Sequence, residues 1–285
     1  MTRMSVLASH KLCVALLAGA FLGLASTGVR ASAGPKDLVI GGTGAALCTM
    51  QKLADAFKQV NPEADVKILP SLGSGGGITA LAAGRLSVSV SSRPVTEVEL
   101  SKGVLGQEIA KTPFVLGAHA KTPLSNVTLE QLAAIYGGTT KAWSEGTTIR
   151  PVLRPTSDVD TDTMRKMSAG LDQAVQIAHG RDGKNVAITD TDSADELERI
   201  PGSIGSSALA LIACEQRKIK VLQINGMDPY PRNSVNSQYP YFKVIYLVTG
   251  KDASPLVQKF VKFIHSPAGA AVLVQNGNLV SGSKK

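Results

Sequence analysis

Ser74 is the polar side chain best placed to do chemistry, because of the residues around it. It stands in the run Pro70-Ser71-Leu72-Gly73-Ser74-Gly75-Gly76-Gly77-Ile78, after the strand-like Val66-Lys67-Ile68-Leu69. The apolar-periodic stretch Ile78, Leu81, Ala82, Arg85 and Leu86 follows. A hydroxyl and several backbone N–H groups at a strand-to-helix switch lie at the positive end of a helix, which suits a small anion. The plain alternative is a turn without a ligand. No catalytic motif competes with it: the chain has no Gly-x-Ser-x-Gly elbow and no His-Glu-x-x-His pair. The glycine run also lacks the Lys-Ser/Thr ending of a nucleotide P-loop. Ser74 and Ser92 would need a neighbouring base to act as nucleophiles, and no histidine obviously serves. These residues point to binding rather than catalysis, with no cofactor.

The start of the chain reads as an export signal. Arg3 and Lys11 precede the apolar run Leu12 to Ala25, and Ala31-Ser32-Ala33 supplies a small-x-small cleavage pattern. Cys13 lies inside the apolar run, without the setting of a lipid-anchored cysteine. The run is short for a membrane-spanning helix, so cleavage near Ala33 and a periplasmic location are expected. Setting residues 1–33 aside leaves about 250 residues, a length that commonly divides into two lobes. Arg3, Lys11 and Arg30 leave with the signal and lower the formal charge of +8 by three. The remaining excess is dispersed; it could steer anions mildly and does not indicate nucleic-acid binding.

Cys48 and Cys214 read as two buried small apolar side chains. An exported protein can also form a disulfide, but spacing alone does not assign one distant pair. No histidine stands at metal-ligand spacing from either cysteine, and His119, His179 and His265 are isolated.

The elements that must position Ser74 alternate between strand and helix. Leu38-Val39-Ile40 predicts a buried strand, and Gly41-Gly42-Thr43-Gly44 turns into a helix with Leu47, Met50, Ala54 and Phe57 on one face. Thr43 is its expected cap, and Asn61-Pro62 its end. Val88 to Ser91 alternates like a short strand, which completes a β-α-β-α-β opening with ligand loops at the ends of parallel strands. Pro113 to His119 predicts a strand, and Thr128-Leu129-Glu130-Gln131 a capping box before a helix. Ile149 to Arg154 and Val186 to Ile188 read as extended, with a helix carrying Met164, Met167 and Leu171 between them. Ala194 to Arg199 is a short helix, and Ile204 to Ile212 mixes strand and helix signals without a clear boundary. Phe242 to Val248 is β-prone, while Ser254-Pro255 and Ser266-Pro267 each predict a capped helix start.

Taken in order, these segments resemble the phosphate-type periplasmic solute-binding proteins of ABC transporters. The resemblance starts at Gly41-Gly42-Thr43-Gly44 and continues through Gly73 to Ile78 and Ser91-Ser92-Arg93-Pro94-Val95-Thr96, with Glu99 after it. Leu129 to Ile135, Gly138, Trp143-Ser144, Arg154, Gly202-Ser203-Ile204-Gly205, Tyr239-Pro240-Tyr241 and Ser266-Pro267-Ala268-Gly269 complete it. It implies an α/β protein of two doubly wound lobes joined by a two-strand hinge, the type II periplasmic binding protein fold. Residues 34–112 with 245–285 would form lobe 1 and residues 113–244 lobe 2, with the ligand held between them.

The resemblance also implies a ligand set. Thr43, Gly44 and Ala45 match the first anion-contacting turn, and Ser74 and Gly75 the second. Ser92 falls where many relatives carry an aspartate, with Arg93 beside it, and Arg154 matches a guanidinium that grips two oxygens. The family's serine-glycine-threonine after that arginine is replaced here by Asp158-Val159-Asp160, followed by Thr161 and Asp162. Ionised carboxylates only accept hydrogen bonds and repel anions at close range. Asp158 or Asp160 would cap the following helix, with Asp162 complementing its dipole, and Ser157 or Thr161 would supply donors. The expected function is a binding protein that delivers a small oxyanion, phosphate or a relative, to an ABC transporter permease, acting as a monomer and without nucleic acid. The alternative is a sensory subunit that reports another ligand to a membrane kinase.

Overall fold

The computed structural model describes residues 37–281, so the expected signal segment and its cleavage site lie outside the described residues. The opening follows the predicted alternation: β1 (Asp37–Gly42), α1 (Gly44–Val60), β2 (Asp65–Ile68), α2 (Gly73–Ala82) and β3 (Val88–Ser91). β1 pairs in parallel with both β2 and β3. Leu47, Met50, Ala54 and Phe57 are buried along α1, as their spacing predicts, and Leu53 is buried beside them. The glycine run is not a turn ahead of α2 but its first helical turn, starting at Gly73 with φ of 66°.

Gly77 of this run and Gly42 at the end of β1 have a packing reason. A Cβ on Gly77 would come within 2.6 Å of the Gly42 Cα and 2.5 Å of Ser89 Oγ. Gly42 has φ of 132°, and a Cβ there would lie 2.0 Å from the Val90 carbonyl oxygen. Without side chains at these positions, α2 lies directly on β1 and β3.

After a short α3 (Glu97–Leu100), β4 runs from Val104 to His119, nine residues earlier than the expected start at Pro113. Its first part pairs antiparallel with β10, its last part with β8 and β9. The missed segment Val104 to Thr112 is exposed over Leu105 to Glu108 and carries the polar Gln107, Glu108 and Lys111, which hid its strand character. Then come β5 (Asn126–Val127), α4 (Leu129–Gly137), β6 (Arg150–Leu153), α5 (Val159–Met167), α6 (Ala169–Gly180) and β7 (Asn185–Val186). The predicted capping box forms at the head of α4: Gln131 N–H donates to Thr128 Oγ1 and Thr128 N–H to Gln131 Oε1.

α7 spans Asp190–Arg199, four residues longer than predicted, because Thr189 and Asp192 form a capping box that starts it. The ambiguous Ile204 to Ile212 stretch resolves into β8 (Ser203–Ala208) running straight into α8 (Leu209–Glu215). β9 (Ile219–Ile224), β10 (Phe242–Gly250), α9 (Pro255–Ile264), α10 (Pro267–Gln275) and β11 (Leu279–Val280) close the described chain. Ser254 and Ser266 cap α9 and α10 as predicted, accepting from Val257 and Gly269 N–H.

The strands join in the order β2-β1-β3-β10-β4-β8-β6-β7, with β9 and β11 on β4 and β5 on β9. The expected parallel pairing holds at the two ends, while β10 and β4 enter the middle antiparallel. One buried cluster packs α1, α9 and α10 on β1, and it also takes in Leu209, Leu211 and Ile212 of α8. A second gathers Phe114 and Leu116 of β4 with α4, α5 and α6.

Cys48 of α1 and Cys214 of α8 are joined as a disulfide, with Cα atoms 6.0 Å apart. This corrects the reading of two separate buried thiols. The partners are 166 residues apart in sequence, and only the packing of α8 against α1 brings them together.

Candidate functional site

The strand ends and helix heads of the opening βαβαβ unit meet residues from β6, α5, α7 and β10. Thr43 follows β1, and its N–H donates to the Val90 carbonyl of β3 at 2.9 Å. It occupies the cap position of α1, yet its side chain accepts no capping bond. Instead Thr43 Oγ1 donates to Asp190 Oδ2 at 2.8 Å. With that proton committed, the 3.0 Å contact between Thr43 and Ser92 has Ser92 Oγ as donor. Ser92 N–H donates to Ser74 Oγ at 2.9 Å, which ties the glycine-rich helix head to the same cluster.

Arg154, at the end of β6, is 3 % exposed. Its Nη1 donates to the Ala187 carbonyl at 3.2 Å and its Nη2 to Asp158 Oδ2 at 2.9 Å. Asp190 Oδ2 lies 3.9 Å from the same Nη2, so Arg154 faces the carboxylate that Thr43 holds. Asp158 also caps α5 through Asp160 N–H, as the helix-cap reading anticipates. Asp160 is buried at the other side, accepting from Ser206 Oγ at 3.0 Å.

Sequence reasoning missed Lys243, Asp190 and Ser206. Lys243 of β10 is 2 % exposed, with Nζ 2.5 Å from both Asp160 Oδ1 and Asp190 Oδ1. A signal existed: Lys243 is the lone charge in the β-prone run Phe242 to Val248, and a lysine on a buried strand needs a carboxylate partner. Asp190 lies in the polar run Thr189-Asp190-Thr191-Asp192, ahead of the helix expected from Ala194, where nothing marked it. The result is a chain of polar contacts running Ser74, Ser92, Thr43, Asp190, Lys243, Asp160 and Ser206.

The electrostatics follow from this packing. Burial pushes the Asp190 carboxyl up, but the nearby charges of Lys243 and Arg154 outweigh it and hold the group down at about 2. Asp160 goes the other way: burial, with Asp190 and Asp158 adding repulsion, raises it despite Lys243. Burial alone would lower the Lys243 ammonium, yet Asp160 and Asp190 drive it above its ordinary value. Three carboxyl groups, those of Asp158, Asp160 and Asp190, therefore share the two cations Arg154 and Lys243.

The other residues marked by sequence are distributed unevenly around this cluster. Gly44 and Ala45 are buried at the head of α1. A Cβ on Gly44 would lie 2.7 Å from Thr191 Oγ1, so the heads of α1 and α7 face each other closely. Thr161 Oγ1 donates to the carbonyls of Arg154 and Pro155, which uses its proton within its own segment. Gly75 and Ser157 are exposed. Arg93 turns to Glu99 in a two-bond pair at 2.8 and 2.7 Å and draws that carboxyl down to about 2. Ser92, Arg93, Ser157, Asp158, Lys243 and Tyr246 all line one cavity of about 510 Å³ beside the polar chain.

The comparisons with known proteins agree with this architecture. The phosphate-binding protein PstS of Bacillus subtilis (strain 168) is 24 % identical over 279 residues, covering 90 % of this chain and 89 % of its own. A phosphate-binding protein PstS 2 of Streptococcus agalactiae is 31 % identical over 108 residues, which is 38 % of this chain and 36 % of its own. Among solved structures, a Clostridium perfringens chain described as a candidate phosphate ABC transporter substrate-binding protein with bound phosphate aligns with a TM-score of 0.70. It is 20 % identical, covering 86 % of this chain and 99 % of its own. An ABC-type phosphate transport receptor from Vibrio cholerae aligns with a TM-score of 0.57 at 19 % identity, over 85 % of this chain and 99 % of its own. A family profile described as a PBP superfamily domain matches residues 28–268, and the chain belongs to that family.

Proposed function

We propose that this protein is an extracytoplasmic solute-binding protein that captures a small oxyanion, phosphate or a close relative, for delivery to an ABC transporter permease. The observation that carries the reading is the meeting of Thr43, Arg154 and Lys243 around one buried negative group, the Asp190 carboxylate, with Ser92 bonded to Thr43. Hydroxyl donors at the head of α1 and a buried guanidinium from β6 are the groups an oxyanion needs. The names of the curated relatives, phosphate-binding proteins, point the same way. Residues 34–112 with 245–285 would act as one lobe and residues 113–244 as the other, with β4 and β10 as the two strands about which they close.

The ligand set proposed is Thr43, Gly44, Ala45, Ser74, Ser92 and Arg154, with Lys243 added as a second cation. Isothermal titration with phosphate, arsenate, sulfate and molybdate at fixed ionic strength tests it. Heat of binding from phosphate or arsenate is expected; silence from all four, in the wild-type protein and in Asp190→Ala and Asp190→Asn alike, overturns the oxyanion reading. Arg154→Ala should weaken phosphate binding by at least about 2 kcal/mol, the scale of a lost charge-assisted hydrogen bond. Unchanged affinity would remove Arg154 from the site.

A further inference from the structure

Asp190 carries no mark of ligand contact in the sequence, yet it sits where the marked residues meet. Its Oδ2 accepts the Thr43 hydroxyl at 2.8 Å and lies 3.9 Å from Arg154 Nη2. Its Oδ1 is 2.5 Å from Lys243 Nζ. A hydroxyl from the head of α1, a guanidinium from β6 and an ammonium from β10 thus surround two carboxylate oxygens, as they would two oxygens of a bound oxyanion. The position favours negative charge further. Asp190 opens α7, and the head of α1 faces it across the short Gly44–Thr191 approach, so the positive ends of two helices converge there.

Arg154 supplies a second, independent sign. Its Nε is a buried N–H without a hydrogen-bond partner, although the side chain is almost fully enclosed. Asp190, Asp158 and the Ala187 carbonyl engage only the two terminal nitrogens. One donor of the set, Arg154 Nε, is thus left without an acceptor and suits an anionic oxygen.

We propose that the Asp190 carboxylate is a built-in occupant of the anion seat, so that a phosphate-class oxyanion binds only by displacing it. The inference rests on the oxyanion reading of this cluster and adds what sets its affinity. An arriving anion exchanges hydrogen bonds with Thr43, Arg154 and Lys243 against those Asp190 already makes, and gains only the difference. Asp158 and Asp160 stay beside the same cations, so the site opposes highly charged ligands even after Asp190 moves. Asp190 is thereby the residue that limits affinity and ligand charge.

The test is titration of inorganic phosphate, with arsenate, sulfate and molybdate in parallel, into the wild-type protein, Asp190→Ala and Asp190→Asn at constant pH and salt, with circular dichroism to confirm folding. Asp190→Ala empties the seat and should tighten phosphate binding at least tenfold. Asp190→Asn keeps the shape without the charge and should tighten it at least threefold, which carries the test if the alanine variant does not fold. Wild-type binding with equal or weaker binding in the folded variants overturns the proposal and leaves the oxyanion reading standing. Absence of binding of phosphate, arsenate, sulfate and molybdate in all three proteins overturns both.

Discussion

Lys243 shows how much one side chain can hold. Its ammonium is the shared partner of Asp160 and Asp190, all three being almost completely buried. Removing it leaves two carboxyl groups in a low-dielectric interior, and breaking such a pair from one side costs about 3–5 kcal/mol. Lys243→Met should therefore lower unfolding stability by that amount in urea titrations. The double variant Lys243→Met/Asp160→Leu should recover part of the loss, because one orphaned carboxyl leaves with the ammonium. The pH dependence of stability carries the Asp190 signature. Its folded value of about 2 lies below the unfolded one, so its contribution is complete above the ordinary carboxylate range and is lost as pH falls through about 2. Asp160 is shifted upward, so its contribution runs in the opposite sense and shrinks as pH rises from the ordinary range. Thermal unfolding followed from about pH 5 down to about pH 2 should fall more steeply for the wild-type protein than for Asp190→Asn, and parallel curves would contradict the assignment.

Helix heads and strand ends place these groups, and small residues control how closely they approach. Thr189 and Asp192 close the capping box that starts α7 and so deliver Asp190 to Thr43. Thr189→Ala should cost about 1 kcal/mol, as losses of helix caps do, read from the urea midpoint. Gly77 works through space rather than hydrogen bonding: its missing side chain lets α2 touch β1 at Gly42. Gly77→Ala should destabilise the fold by about 1–3 kcal/mol, since backbone rather than a flexible side chain would have to move. A chemical-denaturation midpoint unchanged by this substitution would show that α2 can slide outward at no cost. The glycine run thus has two tasks. Gly77 serves packing, whereas Gly75 is exposed beside Arg93, where a Cβ would lie an unstrained 3.7 Å from the Arg93 Nη2.

At the scale of the whole molecule, β4 and the disulfide connect the two parts of the sheet by different means. β4 is one strand of 16 residues whose ends belong to different pairings, with β10 at one end and β8 and β9 at the other. The Cys48–Cys214 bond ties α1 to α8, the helix that continues from β8. Bond formation across a long sequence separation removes conformational freedom mainly from the unfolded chain. Reduction, or Cys48→Ala with Cys214→Ala, should lower stability by about 2–5 kcal/mol, measured by urea unfolding with and without reductant. The proposed lobes would have to keep this link in any relative motion.

The order of strands and helices was legible because it rests on local patterns: the α1 stripe, the Thr128–Gln131 box and the Ser-Pro helix starts act over a few residues. Local patterns also placed Thr43 and Ser74 at helix starts, whereas Ser92 and Arg154 were marked by the family resemblance. Contacts between distant segments left no such trace. The Asp190 bond to Thr43 spans 147 residues, and Cys48 pairs with Cys214 across 166. Lys243 was hidden in a β-prone run; its partner Asp160 looked like an ordinary helix-start residue, and Asp190 lay ahead of the helix expected from Ala194. Periodicity and caps are properties of neighbouring residues, so the amino-acid sequence determines them directly. Which charge neutralises which depends on where strands and helices come to rest in space, and only the tertiary structure decided that Asp190 would stand among the donors.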